Sequence, residues 1–146
     1  NTAMNAGASG KGLKDWKLIQ VAPDKWGFIN IHSDSHWVHS GSAFVLLTPD
    51  KSNIRRSWVE AKYEHSNGGS GSAGGCSNPD ASTCTLLKAK LGVDKKTIIN
   101  GFYPLEITLN GFEDDKVYKN QVYLIKYQPR LGYQVPNDYP MKDVSF

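Results

Sequence analysis

Residues 102–127 read FYPLEITLNGFEDDKVYKNQVYLIKY, and the fold class follows from this stretch. In its first part, an apolar side chain at every second position alternates with proline or a polar residue. That period of two is typical of a strand with one apolar face. The predicted apolar face carries Tyr103, Leu105, Ile107 and Leu109, and the opposite face carries Pro104, Glu106, Thr108 and Asn110.

A second strand is predicted over residues 117–127, after a polar turn at residues 110–116. It contains four consecutive apolar residues, at positions 122–125. A strand that is apolar on both sides is typical of one covered on both faces, so we interpret the pair as the central hairpin of a sheet. Ile107 and Leu124 are both expected in the core.

Further alternating segments lie at residues 15–21, 26–31, 36–47, 57–64 and 85–91. A helix over residues 52–63 is the alternative to the fourth of these, because a helix-start signal precedes it. Short strands separated by turn residues predict an all-β fold, an antiparallel β-sandwich or barrel of about seven to nine strands. The predicted single domain, residues 1–146, has a non-regular N-terminal arm at 1–13, a core at 14–127 and an extended C-terminal tail at 128–146.

Apolar content and charge argue against two classes of function. The longest apolar run, residues 43–47, is far shorter than the roughly 20 residues of a membrane-spanning helix, so no span is predicted. The net charge is +3, and acidic residues interrupt the lysines and arginines. Nucleic-acid binding needs a clustered basic patch, so it is not predicted.

Cys76 and Cys84 are the only two cysteines, and their spacing fits no zinc or redox motif. We interpret them as a short disulfide, which predicts an oxidising compartment and hence an extracellular or cell-surface protein. Two free thiols in a cytosolic protein are the alternative. The Gly- and Ser-rich residues 67–75, which precede Cys76, have the composition of a flexible loop.

His32, Asp34 and His36 form the sharpest candidate for a metal site. On a strand, residues at i, i+2 and i+4 share a face, and two imidazoles with a carboxylate could bind zinc or a similar divalent ion. The alternative is that residues 33–35 form a turn, where this alternation fails and the imidazoles are solvated. No cofactor other than such a metal is predicted.

The tryptophans form the second candidate site, for carbohydrate. Trp26, Trp37 and Trp58 could present a flat aromatic platform to sugar rings. The alternative is that most tryptophans in a β domain lie in the core, and Trp26, beside a turn, is the one most expected to be exposed.

These patterns predict a non-enzymatic, secreted surface or assembly subunit, such as a pilus, adhesin or virion-type structural component. The prediction rests on two terminal arms that could order on neighbouring subunits of a homo-oligomer or filament. A carbohydrate-binding module is the alternative, and a metal-dependent hydrolase the second. No catalytic residues are predicted, because the chain has no nucleophile-elbow, phosphate-loop or dinucleotide motif.

Overall fold

The computed structural model describes residues 15–36, 39–66, 84–113 and 116–142. Within these ranges the chain is all-β, with eight strands and no helix. This confirms the predicted fold class. The strands are β1 (Lys17–Ala22), β2 (Lys25–His36), β3 (His39–Asp50), β4 (Asn53–Ser66), β5 (Cys84–Val93), β6 (Leu105–Glu113), β7 (Lys116–Gln128) and β8 (Gly132–Gln134).

Every strand pairs antiparallel with the next strand in the chain, so the sheet order is the sequence order. Pro23 and Asp24 make the tight turn between β1 and β2, as their turn chemistry predicts. The strand predicted over residues 57–64 is confirmed within β4, and the alternative helix over residues 52–63 is not formed, because a turn at Lys51 and Ser52 leads directly into β4. The described strands form one open sheet, and its closure into a sandwich or barrel stays a prediction.

The sheet bends so that its two halves share one core. β4 pairs with β5 only from Lys62 to Ser66, so the first part of β4 separates from β5. Buried side chains from β1–β4 and from β5–β8 meet in a single cluster. Its members include Ile19, Val21, Leu46 and Val59 from the first half, and Leu87, Ile107, Leu109, Tyr123 and Ile125 from the second.

The central hairpin is present as β6 and β7, and Ile107 is fully buried as predicted. The prediction that residues 122–125 are covered on both faces is wrong. Val122 is 57% exposed and Leu124 38% exposed, while Tyr123 and Ile125 point into the core. Only one face of β7 packs on the core cluster, so its other apolar side chains face outward.

The C-terminal segment packs on its own chain. Tyr133 in β8 is buried, and so are Tyr139 and Met141 in the turns that follow. Residues 128–142 therefore fold back on their own chain, and three of their side chains complete its core. The predicted N-terminal arm at residues 1–13 lies outside the described residues, as do residues 143–146.

Candidate binding face on strands one to four

The face of β1–β4 that points away from the core is the candidate functional site, and we call it the outer face. Strand register fixes its composition, because successive side chains alternate between the two faces of a sheet. Ile19, Leu46 and Val59 point inward, so their sequence neighbours point outward. Cross-strand neighbours on the outer face form three rows: Leu18, Phe28, Leu47 and Arg56; Asn30, Val45 and Trp58; and His32, Ala43 and Glu60.

One end of the outer face is apolar and open to solvent. Leu18 is 65% exposed, Trp26 56% and Phe28 48%. Ile54, two positions before Arg56 on β4, lies on the same face and is 45% exposed. We call these four residues the apolar platform. All four have about half of their surface or more open to solvent, and clusters of exposed apolar residues commonly mark interaction sites.

The middle of the outer face is aromatic and better covered. Trp58 is half-buried, and its ring centroid lies 5.3 Å from that of His32, which is buried. The guanidinium carbon of Arg56 lies 6.0 Å from the Trp58 centroid, within range of a cation–π interaction. These contacts fix the Trp58 ring beside the platform, so the surface there is pre-organised.

The paired ends of β2 and β3 are polar. By the same alternation Asp34 belongs to the outer face, whereas Ser33, Ser35, Ser40, Ser42 and Lys62 belong to the opposite face. A groove of about 360 Å³ lies beside the paired ends of β2 and β3. The Asp34 carboxylate accepts a hydrogen bond from the backbone N–H of Ser35 at 2.8 Å. Hydroxyls, one carboxylate and one ammonium therefore line a single groove. The lining residues are Ser33, Asp34, Ser35, Ser40, Gly41, Ser42 and Lys62.

The predicted metal ligands lie on one strand. Residues 33–35 continue β2 and pair with residues 40–42, so the predicted turn there is wrong. Register places His32 and Asp34 on the outer face, but His32 is buried against Trp58. In the parts of the chain that the structure describes, no group of three His, Cys, Asp or Glu side chains could hold a metal ion. The His36 side chain is outside that description, so the metal site stays a prediction.

The structure brings two of the three predicted tryptophans to one face. Trp26 is exposed, as expected from its place beside a turn, and Trp58 lies two rows further along the outer face. Trp37 lies outside the described residues. Sequence reasoning missed Leu18, Phe28 and Ile54. Apolar residues on both faces of β1 and β2 were a partial signal for Leu18 and Phe28, but no local pattern relates them to Ile54 on β4.

The predicted disulfide stays a prediction. Cys84 is the first residue of β5, whereas Cys76 lies outside the described residues. The extracellular or cell-surface location rests on that disulfide, so it stays a prediction as well.

A cluster of ionisable groups joins the two halves of the sheet. The Tyr127 hydroxyl donates a hydrogen bond to Asp50 Oδ2 at 3.0 Å, and Arg55 Nε lies 3.1 Å from the same oxygen. The hydrogen bond from Arg55 lowers the pKa of Asp50. Burial, assisted by the hydrogen bond to Asp50, raises the pKa of Tyr127 to about 12. These hydrogen bonds connect the turn between β3 and β4 to β7, so we assign the cluster a structural role.

Comparison of the chain with models of protein families, with curated proteins and with solved structures finds no match in any of the three. Among the residues described, no helix has the length and apolar character needed to span a membrane. The arguments for function therefore rest on the geometry of the outer face.

Proposed function

We propose that the protein is a non-enzymatic assembly subunit that docks onto a second copy of itself through the apolar platform. The observation that carries the proposal is the exposure of Leu18, Trp26, Phe28 and Ile54 on one face of the sheet. Burying that surface between two copies is favourable, because burial of apolar area gains roughly 25 cal/mol per Å².

The composition of the platform supports a protein partner. Interface centres are enriched in aromatic residues and arginine, and the platform combines two aromatic rings with Arg56 at its border. A standard interface buries about 800 Å² on each partner, and the platform would form its apolar centre. A two-fold pairing presents the same patch from both copies, so one surface satisfies both sides.

The test is sedimentation velocity of the full chain over a wide concentration range. We expect a concentration-dependent dimer or larger assembly, and we expect Trp26→Ser combined with Phe28→Ser to remain monomeric. Val117→Ser is the matched control, because Val117 is an exposed apolar residue on β7, a strand that pairs with β6 and β8 and not with β1–β4. A wild-type chain that stays monomeric, or a double variant that assembles like the wild type, would contradict the proposal.

A carbohydrate-binding module is the second candidate, and one observation favours it. The exposed Trp26 ring offers a stacking surface to a sugar ring, and the serines of the polar groove at the other end of β2 lie on the opposite face. Tryptophan fluorescence measured against a glycan panel tests this. A response that Trp26→Ser abolishes, in a protein that remains monomeric, would favour this function over assembly.

The secreted or cell-surface location belongs to the same proposal. Its support is the Cys76–Cys84 pair in a chain with no other cysteine. Mass spectrometry after alkylation without reductant counts free thiols in the purified protein. Two alkylated cysteines would remove the support.

A further inference from the structure

The edge of β7 is the second surface on which a partner could act. β7 runs from Lys116 to Gln128, but β8 pairs with it only at residues 126–128. Among the described strands, none pairs with residues 116–125 on the side opposite β6. Such an edge offers unpaired backbone groups to an added strand.

A groove marks the place where the β8 pairing stops. β8 ends at Gln134, and Pro136 has no N–H with which to continue the ladder. The chain then leaves β7 and opens a groove of about 460 Å³. Residues of β7 line one side of this groove and residues of the C-terminal segment line the other. They include Val122, Leu124 and Lys126 on β7, and Gln134, Pro136 and Asp138 on the C-terminal segment.

The side chains along this edge define the chemistry of the occupant. Val122 and Leu124 are exposed apolar residues beside the groove. β7 also carries three exposed lysines, Lys116, Lys119 and Lys126, and no acidic residue. Lysines on an edge strand discourage pairing with another basic strand, but they attract one that brings carboxylates.

We propose that the edge of β7 binds an extended acidic segment of another protein by strand addition. The segment continues the line of β8 and runs antiparallel to β7 past residues 118–125. Backbone hydrogen bonds supply affinity, as in other cases of strand addition, and alternate side chains supply selectivity. Its apolar side chains cover Val122 and Leu124, and its carboxylates pair with Lys119 and Lys126. The surface is separate from the apolar platform on β1–β4.

The test uses a labelled peptide of alternating glutamate and valine, with fluorescence anisotropy as the readout. We expect binding, and a loss of at least about tenfold in affinity when the peptide backbone is N-methylated at alternate residues. A peptide of alternating lysine and valine should bind at least about tenfold more weakly. Amide hydrogen exchange of the complex should show new protection within residues 118–125.

Two charge-reversal variants complete the test. Lys119→Glu combined with Lys126→Glu should weaken binding of the acidic peptide by at least about tenfold. Lys88→Glu combined with Lys90→Glu on β5 makes the same change in net charge at exposed positions outside the groove, with β6 between them and β7, so it should weaken binding by less than about threefold. No binding of the acidic peptide, equal losses in both variants, equal binding of the N-methylated peptide, or self-association through the same amides would overturn the proposal.

Discussion

Tyr139 donates its phenolic hydrogen to the main-chain oxygen of Glu60, with 2.6 Å between the two oxygens. Tyr139 lies in the turns after β8. Glu60 lies in the first part of β4, which does not pair with β5. A second hydrogen bond between the same two segments runs from the backbone N–H of Tyr133 to Ser57 Oγ, at 2.8 Å. The C-terminal segment thus connects the two halves of the bent sheet, and the fold depends on it.

Tyr139→Phe should destabilise the protein by about 1–3 kcal/mol, because it leaves the Glu60 carbonyl without this donor in a buried place. Urea unfolding followed by circular dichroism measures the loss. Gln134→Ala is the control, since its side chain is exposed and donates to the carbonyls of Leu131 and Tyr133 close by in sequence. A loss below about 0.5 kcal/mol for Tyr139→Phe would show that the bond contributes little.

Ile107→Ala should cost about 2–5 kcal/mol, because Ile107 is fully buried in the shared core and the substitution leaves a cavity. Leu124→Ala removes a similar volume from an exposed position on the neighbouring strand and should cost less than about 1 kcal/mol. Denaturant midpoints of the two variants provide the comparison. Equal losses would mean that the inward and outward faces of the hairpin are assigned incorrectly.

Gly111→Ala should destabilise the protein more than Gly101→Ala. Both glycines have positive φ, so both substitutions strain the backbone by about 1 kcal/mol. A Cβ at Gly111 would also overlap the main-chain oxygen of Leu86 on β5, whereas a Cβ at Gly101 meets nothing within 4 Å. Thermal unfolding of the two variants measures the difference. A Gly111→Ala variant as stable as Gly101→Ala would contradict the close approach of β5 and β6.

The stability of the protein should fall as the pH rises above about 10. Burial raises the pKa of Tyr127 to about 12, whereas an unfolded tyrosine titrates near about 10. The native state keeps the proton to higher pH, so this stabilisation is complete below about pH 10 and is lost on the way to about pH 12. The slope of the unfolding free energy against pH is proportional to the difference in bound protons between the unfolded and native states. Tyr127→Phe should therefore make this slope shallower in that window, by the equivalent of up to about one proton. Urea titrations across the window test this, and an unchanged slope would contradict it.

Alternation was a sufficient guide where a strand has one apolar face. It predicted the strand at residues 103–109 with Ile107 inward, and it predicted the strand at residues 85–91 within β5. It failed at residues 122–125, because consecutive apolar residues do not show whether a second layer exists to cover them. The outward-facing Val122 and Leu124 do not pack on the core, and in our proposal they contact the added strand.

Turn composition was a weaker guide than strand pairing. Residues 33–35 have the composition of a turn, yet their pairing with residues 40–42 extends β2 to His36. The apolar platform could not be recognised from sequence, because Leu18 and Ile54 lie on different strands that only the register brings to one face. Sequence could place Trp26 at the surface, but not the neighbours that surround it.

Acrylamide quenching of Trp26 fluorescence tests the assembly proposal most directly. A variant with Trp16→Phe, Trp37→Phe and Trp58→Phe retains Trp26 as its only tryptophan, so the emission reports on the platform alone. If copies dock through the platform, the quenching constant falls as protein concentration rises, in step with the sedimenting mass. A quenching constant that stays the same while the mass increases would show that the platform is not the interface.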